Sequence, residues 1–112
     1  MTNTEKYLGE TVRISIDRPL GSRHPKYGFA YGLNYGFVPD TLSGDGEELD
    51  AYILGINKPL SEFEGKCIAI IRRTNDNDDK LIVVPDGINF SDNEIEEQTD
   101  FQEKWFHHII IR

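Results

Sequence analysis

Four acidic side chains crowd into six positions at Asp45-Gly46-Glu47-Glu48-Leu49-Asp50, directly ahead of the apolar run Ala51-Tyr52-Ile53-Leu54. Packed carboxylates need a cation, and hard divalent ions such as Mg²⁺ take a few carboxylate oxygens plus water and bridge to phosphate oxygens. A second acidic segment, Asp76-Asn77-Asp78-Asp79-Lys80, ends in a lysine, and the aromatic segment Asn34-Tyr35-Gly36-Phe37 precedes both. These residue types point to a metal-assisted phosphate site. Cations stand nearby in sequence: Arg18, Arg23, His24 and Lys26 lie within nine positions of one loop. Arginine offers a planar donor fork to phosphate oxygens, and lysine supplies a point charge.

These segments need a scaffold, and the hydrophobic pattern supplies one. Val12, Ile14 and Ile16 alternate with Arg13, Ser15 and Asp17, which is the period of a half-buried strand over about 11–17. Arg18 to Pro25 reads as a loop, and the glycine-punctuated aromatic stretch 27–38 as one or two short strands. Ala51–Leu54 is expected to be a buried strand. Lys66–Thr74, carrying Cys67–Ile71, suits a central strand, and Leu81–Val84 pairs back on it as a hairpin before Pro85-Asp86-Gly87. Ser91-Asp92-Asn93-Glu94 is a capping box opening a helix over about 92–107. Ile95, Phe101, Trp105 and Phe106 are expected on its core side, and Glu94, Glu96, Glu97 and Glu103 on its solvated side. His107 and His108 would close it near the negative end of its dipole. Strands without βαβ alternation and one late helix predict a mainly β (α+β) chain, a small closed barrel of antiparallel or mixed strands with one C-terminal helix.

Composition excludes several classes of function. The chain has 112 residues, enough for one domain, 1–112, and too few for two ordinary ones. Its net charge is −8, distributed unevenly: residues 1–40 hold five Lys/Arg against four Asp/Glu, and residues 41–112 hold seven against sixteen. That balance disfavours nucleic acid, whose binding rests on basic side chains. No apolar run approaches the roughly 20 residues of a membrane helix, and the first residues lack a signal layout, so a soluble cytoplasmic protein without a membrane partner is expected. Cys67 lies in an apolar run and reads as a buried small hydrophobe. The histidines 24, 107 and 108 lack metal-ligand spacing, so zinc is not expected, and no nucleophile elbow or phosphate-binding glycine loop is present.

Taken together, the three segments resemble the soluble Mg²⁺-dependent inorganic pyrophosphatases of the metal-carboxylate barrel type, family I. Asp45-Gly46-Glu47-Glu48-Leu49-Asp50 fits five of six positions of that family's metal motif, with Glu47 in place of an aspartate. Tyr31-Gly32-Leu33-Asn34-Tyr35-Gly36-Phe37 resembles its aromatic segment, and Thr74 to Pro85 its acidic hairpin. The resemblance covers roughly residues 12–85 and implies a shortened, divergent member with an OB-like barrel. It also implies Mg²⁺, or Mn²⁺, held by Asp45, Asp50 and Asp78, with Glu47 helping to deprotonate the attacking water. Tyr35 would lie near that water, and Arg18 and Lys80 would contact phosphate. Asn75 falls where the family carries a further metal aspartate, for which Asp76 could substitute, and Trp105-Phe106 occupies the place of a phosphate-contacting Tyr-Lys pair. The loop cations Arg23 and His24 are the candidates to replace the missing phosphate contacts. The implied activity is hydrolysis of inorganic pyrophosphate to two orthophosphates. The alternatives are a non-catalytic metal-phosphate module of the same fold, or a hydrolase of another diphosphate or nucleotide. Members often form homo-oligomers, and the same option is implied here.

Overall fold

The computed structural model describes residues 4–41, 47–74 and 78–112. A short 3-10 helix, Thr4–Tyr7, precedes β1 (Thr11–Arg18), β2 (Asn34–Val38), β3 (Leu49–Ile53), β4 (Glu62–Arg73) and β5 (Asp79–Val84); α1 (Asp92–Glu103) and β6 (His108–Ile111) follow. The alternation that predicts β1 is realised, with Val12, Ile14 and Ile16 buried and Thr11, Arg13 and Asp17 exposed. All six residues of β5 are buried, as expected of a central strand covered on both faces.

Hydrogen bonding closes the first five strands on themselves. The order is β1-β2-β3-β5-β4, and β1 pairs again with β4. One strand, β4, makes this closure: its first residues, Glu62–Lys66, pair with β1, and Lys66–Arg72 pair with β5. The register shifts between Cys67 and Ala69, the kind of irregularity that bends a strand and increases its twist. The pairing of β3 with β5 is parallel and the other neighbours are antiparallel, so the mixed OB-like barrel expected from the sequence is present. Its interior is filled by Val12, Ile14, Ile53, Ile70, Leu81, Val83 and their neighbours. A second apolar layer, Tyr52, Leu54, Ile71, Ile82, Val84 and Ile95, lies between the barrel wall and α1. Cys67 is buried in the first layer, and burial pushes its thiol up to about 11.

Tight wall packing depends on glycine at β2. A Cβ on Gly36 would lie 2.0 Å from the Ser15 carbonyl oxygen and 2.9 Å from the Ile16 Cα, both backbone atoms that cannot turn aside. Gly36→Ala is therefore expected to cost at least about 3 kcal/mol, the upper part of the usual overpacking range. A urea midpoint unchanged from the parent chain would contradict this.

The C-terminal region differs from the sequence expectation in three respects. The capping box is present, with the Glu94 amide donating to Ser91 Oγ and Glu94 Oε1 accepting from the Ser91 amide. The helix nevertheless ends at Glu103, and His108 opens an additional strand that pairs with β4 through Arg73↔His108 and Ile71↔Ile110. Glu103, expected in solvent, is fully buried, because Arg73 donates to both of its oxygens and Tyr52 Oη donates to Oε2. Trp105, expected in the core, is 69% exposed, because it lies in the turn between α1 and β6. Ile95 is buried as expected, with Phe101 and Phe106 partly so.

One titration couples these two elements. His108 Nε2 is bonded to Glu96 Oε1 and its Nδ1 approaches the Phe106 carbonyl. Burial lowers the imidazole's pKa, but those bonds and the charges of Glu96 and Glu103 outweigh it and leave it above 6.5. The pair's stabilisation is thus fully present below the unfolded value near 6.5 and is lost as pH rises through the folded value. Glu96→Gln should lower the melting temperature at pH 5.5 by the equivalent of up to about 1 kcal/mol and by less at pH 8.5. A difference that grows with pH would contradict the assignment.

Candidate active site

A cavity of about 790 Å³ opens between the β1–β2 side of the barrel and the end of α1. The elements around it place charges at one end and aromatic rings along the sides. Register sets the charged end. Asp50 of β3 is paired with Lys80 of β5, and Phe37 of β2 lies opposite Asp50. Asp78 immediately precedes β5. Lys80 is 2% exposed, and its Nζ donates to Asp50 Oδ2 at 3.0 Å, Asp78 Oδ2 at 3.0 Å and Tyr35 Oη at 2.9 Å. All three ammonium hydrogens are thereby used, and two carboxylates, one from β3 and one from the residue before β5, converge on one point.

Asp78 has a second feature: its Oδ1 is buried and has no hydrogen-bond partner. A buried unsatisfied carboxylate oxygen is costly. Burial raises the Asp78 pKa, against the lowering influence of Lys80 and Arg73, and the Asp50 charge raises it further. Two carboxylates that converge on one point, with the second oxygen of Asp78 buried and unpartnered, are a hard oxygen donor set that fits a divalent cation. Asp45, expected as the third ligand, lies outside the described residues, as does Asp76; among the described residues no group of three or more metal-ligating side chains stands together.

Arg18 lines the cavity; it donates to the Asp17 carbonyl at 3.2 Å, lies 3.9 Å from the Asp17 carboxylate and interacts with the Tyr31 hydroxyl. His24 also lines it. Its Nδ1 accepts from the amides of Lys26 and Tyr27, both at 3.1 Å, which places the ring proton of neutral His24 on Nε2 as a donor. Arg23 points its chemistry elsewhere: its Nη1 donates to the Gly28 carbonyl at 2.9 Å, and its backbone bridges to Ala30. Glu47 is exposed in the bend before β3. Tyr35 is enclosed by Tyr31 and Tyr52, and burial first, then the charge of Asp50, pushes its phenol well above 10.

Two contributors escape a reading of the sequence. Asp17 lines the cavity next to Arg18; burial raises its pKa, Arg18 lowers it and Asp50 raises it. The only signal was an acid beside an arginine where β1 runs into the loop. Arg73 is 8% exposed. It donates to Asp78 Oδ2 at 3.2 Å and to Glu103 at 3.0 and 2.8 Å, and its guanidinium lies 3.6 Å from the centre of the Phe106 ring. The arrangement extends through Glu103 to Tyr52, whose Oη accepts from Gln102 at 2.6 Å, and Gln102 accepts from Tyr31 at 2.8 Å. Helix α1 therefore holds Asp78 in place through Arg73.

The family model described as inorganic pyrophosphatase matches residues 6–110. The chain belongs to the inorganic pyrophosphatase family. It is 40% identical over 62 residues to the inorganic pyrophosphatase of Haemophilus influenzae, covering 51% of this chain and 35% of that protein. With the Streptomyces coelicolor inorganic pyrophosphatase it shares 39% over 83 residues, covering 68% and 46%. The alignments thus span less than half the length of these pyrophosphatases. Two solved pyrophosphatases share the fold. The Ehrlichia chaffeensis structure superposes with a TM-score of 0.69 at 17% identity over 90% of this chain and 84% of its own. The Helicobacter pylori structure gives 0.66 at 20% over 88% and 77%. No helix among the described residues is long and apolar enough to cross a membrane.

Proposed function

We propose that this chain, one pyrophosphatase-like domain over 1–112, hydrolyses inorganic pyrophosphate to two orthophosphates in the cytoplasm, with Mg²⁺ or Mn²⁺ held by Asp50, Asp78 and Asp45. The observation that carries this is the convergence of Asp50 and Asp78 on Lys80 at 3.0 Å each, with the second oxygen of Asp78 buried and unpartnered, inside a chain matched to the family over 6–110. When bound, a divalent ion lowers the pKa of coordinated water and offsets charge on phosphoryl oxygens.

The remaining work falls to side chains. In the described arrangement Lys80 neutralises the two aspartates; with those oxygens engaged by a cation, its ammonium has donors to offer a phosphate oxygen. Arg18, at the cavity wall, supplies N–H groups to phosphate, and His24 adds one from Nε2. Tyr35 fixes the Lys80 ammonium through its hydroxyl, and Glu47, on the segment leading to Asp50, accepts the proton of the attacking water. Arg23 supports the phosphate site through the loop: its bond to Gly28 braces the turn that carries His24. Tests are direct. Phosphate release from pyrophosphate should require a divalent ion, and His24→Ala should raise KM about tenfold, the weight of one charge-assisted hydrogen bond. An unchanged KM would remove His24 from the phosphate contacts.

A further inference from the structure

We infer that the mouth of this cavity is a subsite for a planar aromatic ring attached to a diphosphate, so that the site accepts nucleoside diphosphates in addition to bare pyrophosphate. The inference rests on the reading of the charged end as a diphosphate site.

Exposure singles out the residues. Four large hydrophobic side chains are exposed among the described residues: Tyr27 at 68%, Trp105 at 69%, Ile88 and Ile109. The two aromatic ones both border the cavity; the two aliphatic ones do not. Each carries a lysine ammonium beside its ring, Lys26 at 5.3 Å from Tyr27 and Lys104 at 4.9 Å from Trp105. An apolar surface with a cationic rim suits a flat, anionic molecule better than a neutral apolar one.

A continuous set of rings joins this mouth to the charged end. Tyr27 lies 4.9 Å from His24, His24 lies 6.3 Å from Tyr31 in a stacked arrangement, and Tyr31 lies 5.5 Å from Tyr35, also stacked. Tyr35 Oη then accepts from Lys80. A molecule with phosphates at Lys80 and Arg18 would therefore have aromatic surface beside it up to solvent. Size agrees. A cavity near 790 Å³ is in the upper part of the range of about 300–1,000 Å³ that encloses drug-sized ligands, whereas pyrophosphate has nine heavy atoms and leaves most of that space to water.

The test uses the chain's single tryptophan, Trp105, as reporter, and methylene-bridged analogues of ADP and pyrophosphate that hydrolysis does not consume. With Mg²⁺ present, the ADP analogue should quench Trp105 fluorescence saturably, the pyrophosphate analogue should not, and excess pyrophosphate analogue should reverse the quench. Tyr27→Ala should weaken the ADP analogue about tenfold, as loss of one stacking surface does, and change affinity for the pyrophosphate analogue, read by calorimetry, by less than about twofold. Binding of the pyrophosphate analogue without any response to the ADP analogue would overturn the ring subsite and leave the proposed function standing. Failure of both analogues to bind would overturn both. A quench that pyrophosphate cannot displace would place the ring elsewhere and overturn the subsite. A dimer that Trp105→Ala converts to a monomer would assign this surface to a second copy of the chain and overturn it as well.

Discussion

Asp50→Asn is expected to lower Mg²⁺-dependent phosphate release from pyrophosphate by at least about 10³-fold while leaving the chain folded. The amide preserves the shape of the side chain and removes the charge that holds a hard cation, and a 10³-fold loss corresponds to about 4 kcal/mol at the transition state. The fold should tolerate the change. The Asp50 side chain is 29% exposed, the asparagine oxygen still offers Lys80 an acceptor, and that ammonium retains Asp78 and Tyr35, so the stability loss should stay within about 2 kcal/mol. Parallel assays of turnover and thermal unfolding separate the two effects. A rate within tenfold of the parent chain would show that Asp50 does not hold the catalytic ion.

Arg73→Met should have the largest effect on stability. Removing one partner of a buried ion pair costs about 3–5 kcal/mol, and here the substitution strips Glu103, which is fully buried, of both guanidinium bonds and Asp78 of one. The Glu103 carboxyl already shows the dependence: burial raises its pKa, but Arg73 and Tyr52 hold it below 4.5 overall. The stability contributed by this pairing is therefore present above the unfolded value near 4.5 and is lost as pH falls through the folded value. Arg73→Met should abolish that acid-dependent part of unfolding. Arg73→Met with Glu103→Met should recover most of the loss, because replacing both buried charges by apolar groups is far cheaper than removing one. Turnover should remain low in the double variant, since Asp78 is still without its Arg73 bond. Urea melts at pH 7 and pH 4 measure the first two statements. A single variant as stable as the parent chain would contradict the proposed role of Arg73.

Local patterns made the barrel legible. The alternation at Val12, Ile14 and Ile16, the apolar run before Pro85 and the Ser91/Glu94 capping box each encode their element within a few residues, and each forms as expected. The parallel pairing of β3 with β5 and the strand β6 depend on contacts distant in sequence, which no local period records. Glu103 and Trp105 were misplaced for a related reason. Helical periodicity assigns faces only while the helix continues, and this one stops at Glu103, where a buried arginine from β4 captures the carboxylate. Arg73 itself looked like an ordinary strand-end cation; its importance comes from three partners contributed by residues 5 to 33 positions away. At the proposed site, the family resemblance singles out Asp50 and Asp78, which the structure brings to the same lysine, whereas Asp17 stands out only once the cavity is seen.

Asp50 and Asp78 are proposed to hold a divalent ion at which pyrophosphate is cleaved. The most direct measurement is phosphate release from pyrophosphate by the purified full chain, with Mg²⁺ and again with the ion removed by a chelator. Turnover that appears with Mg²⁺, vanishes on chelation and returns on adding the ion back is the predicted result. Turnover that persists without any divalent ion, or none with it at micromolar protein, would contradict the account.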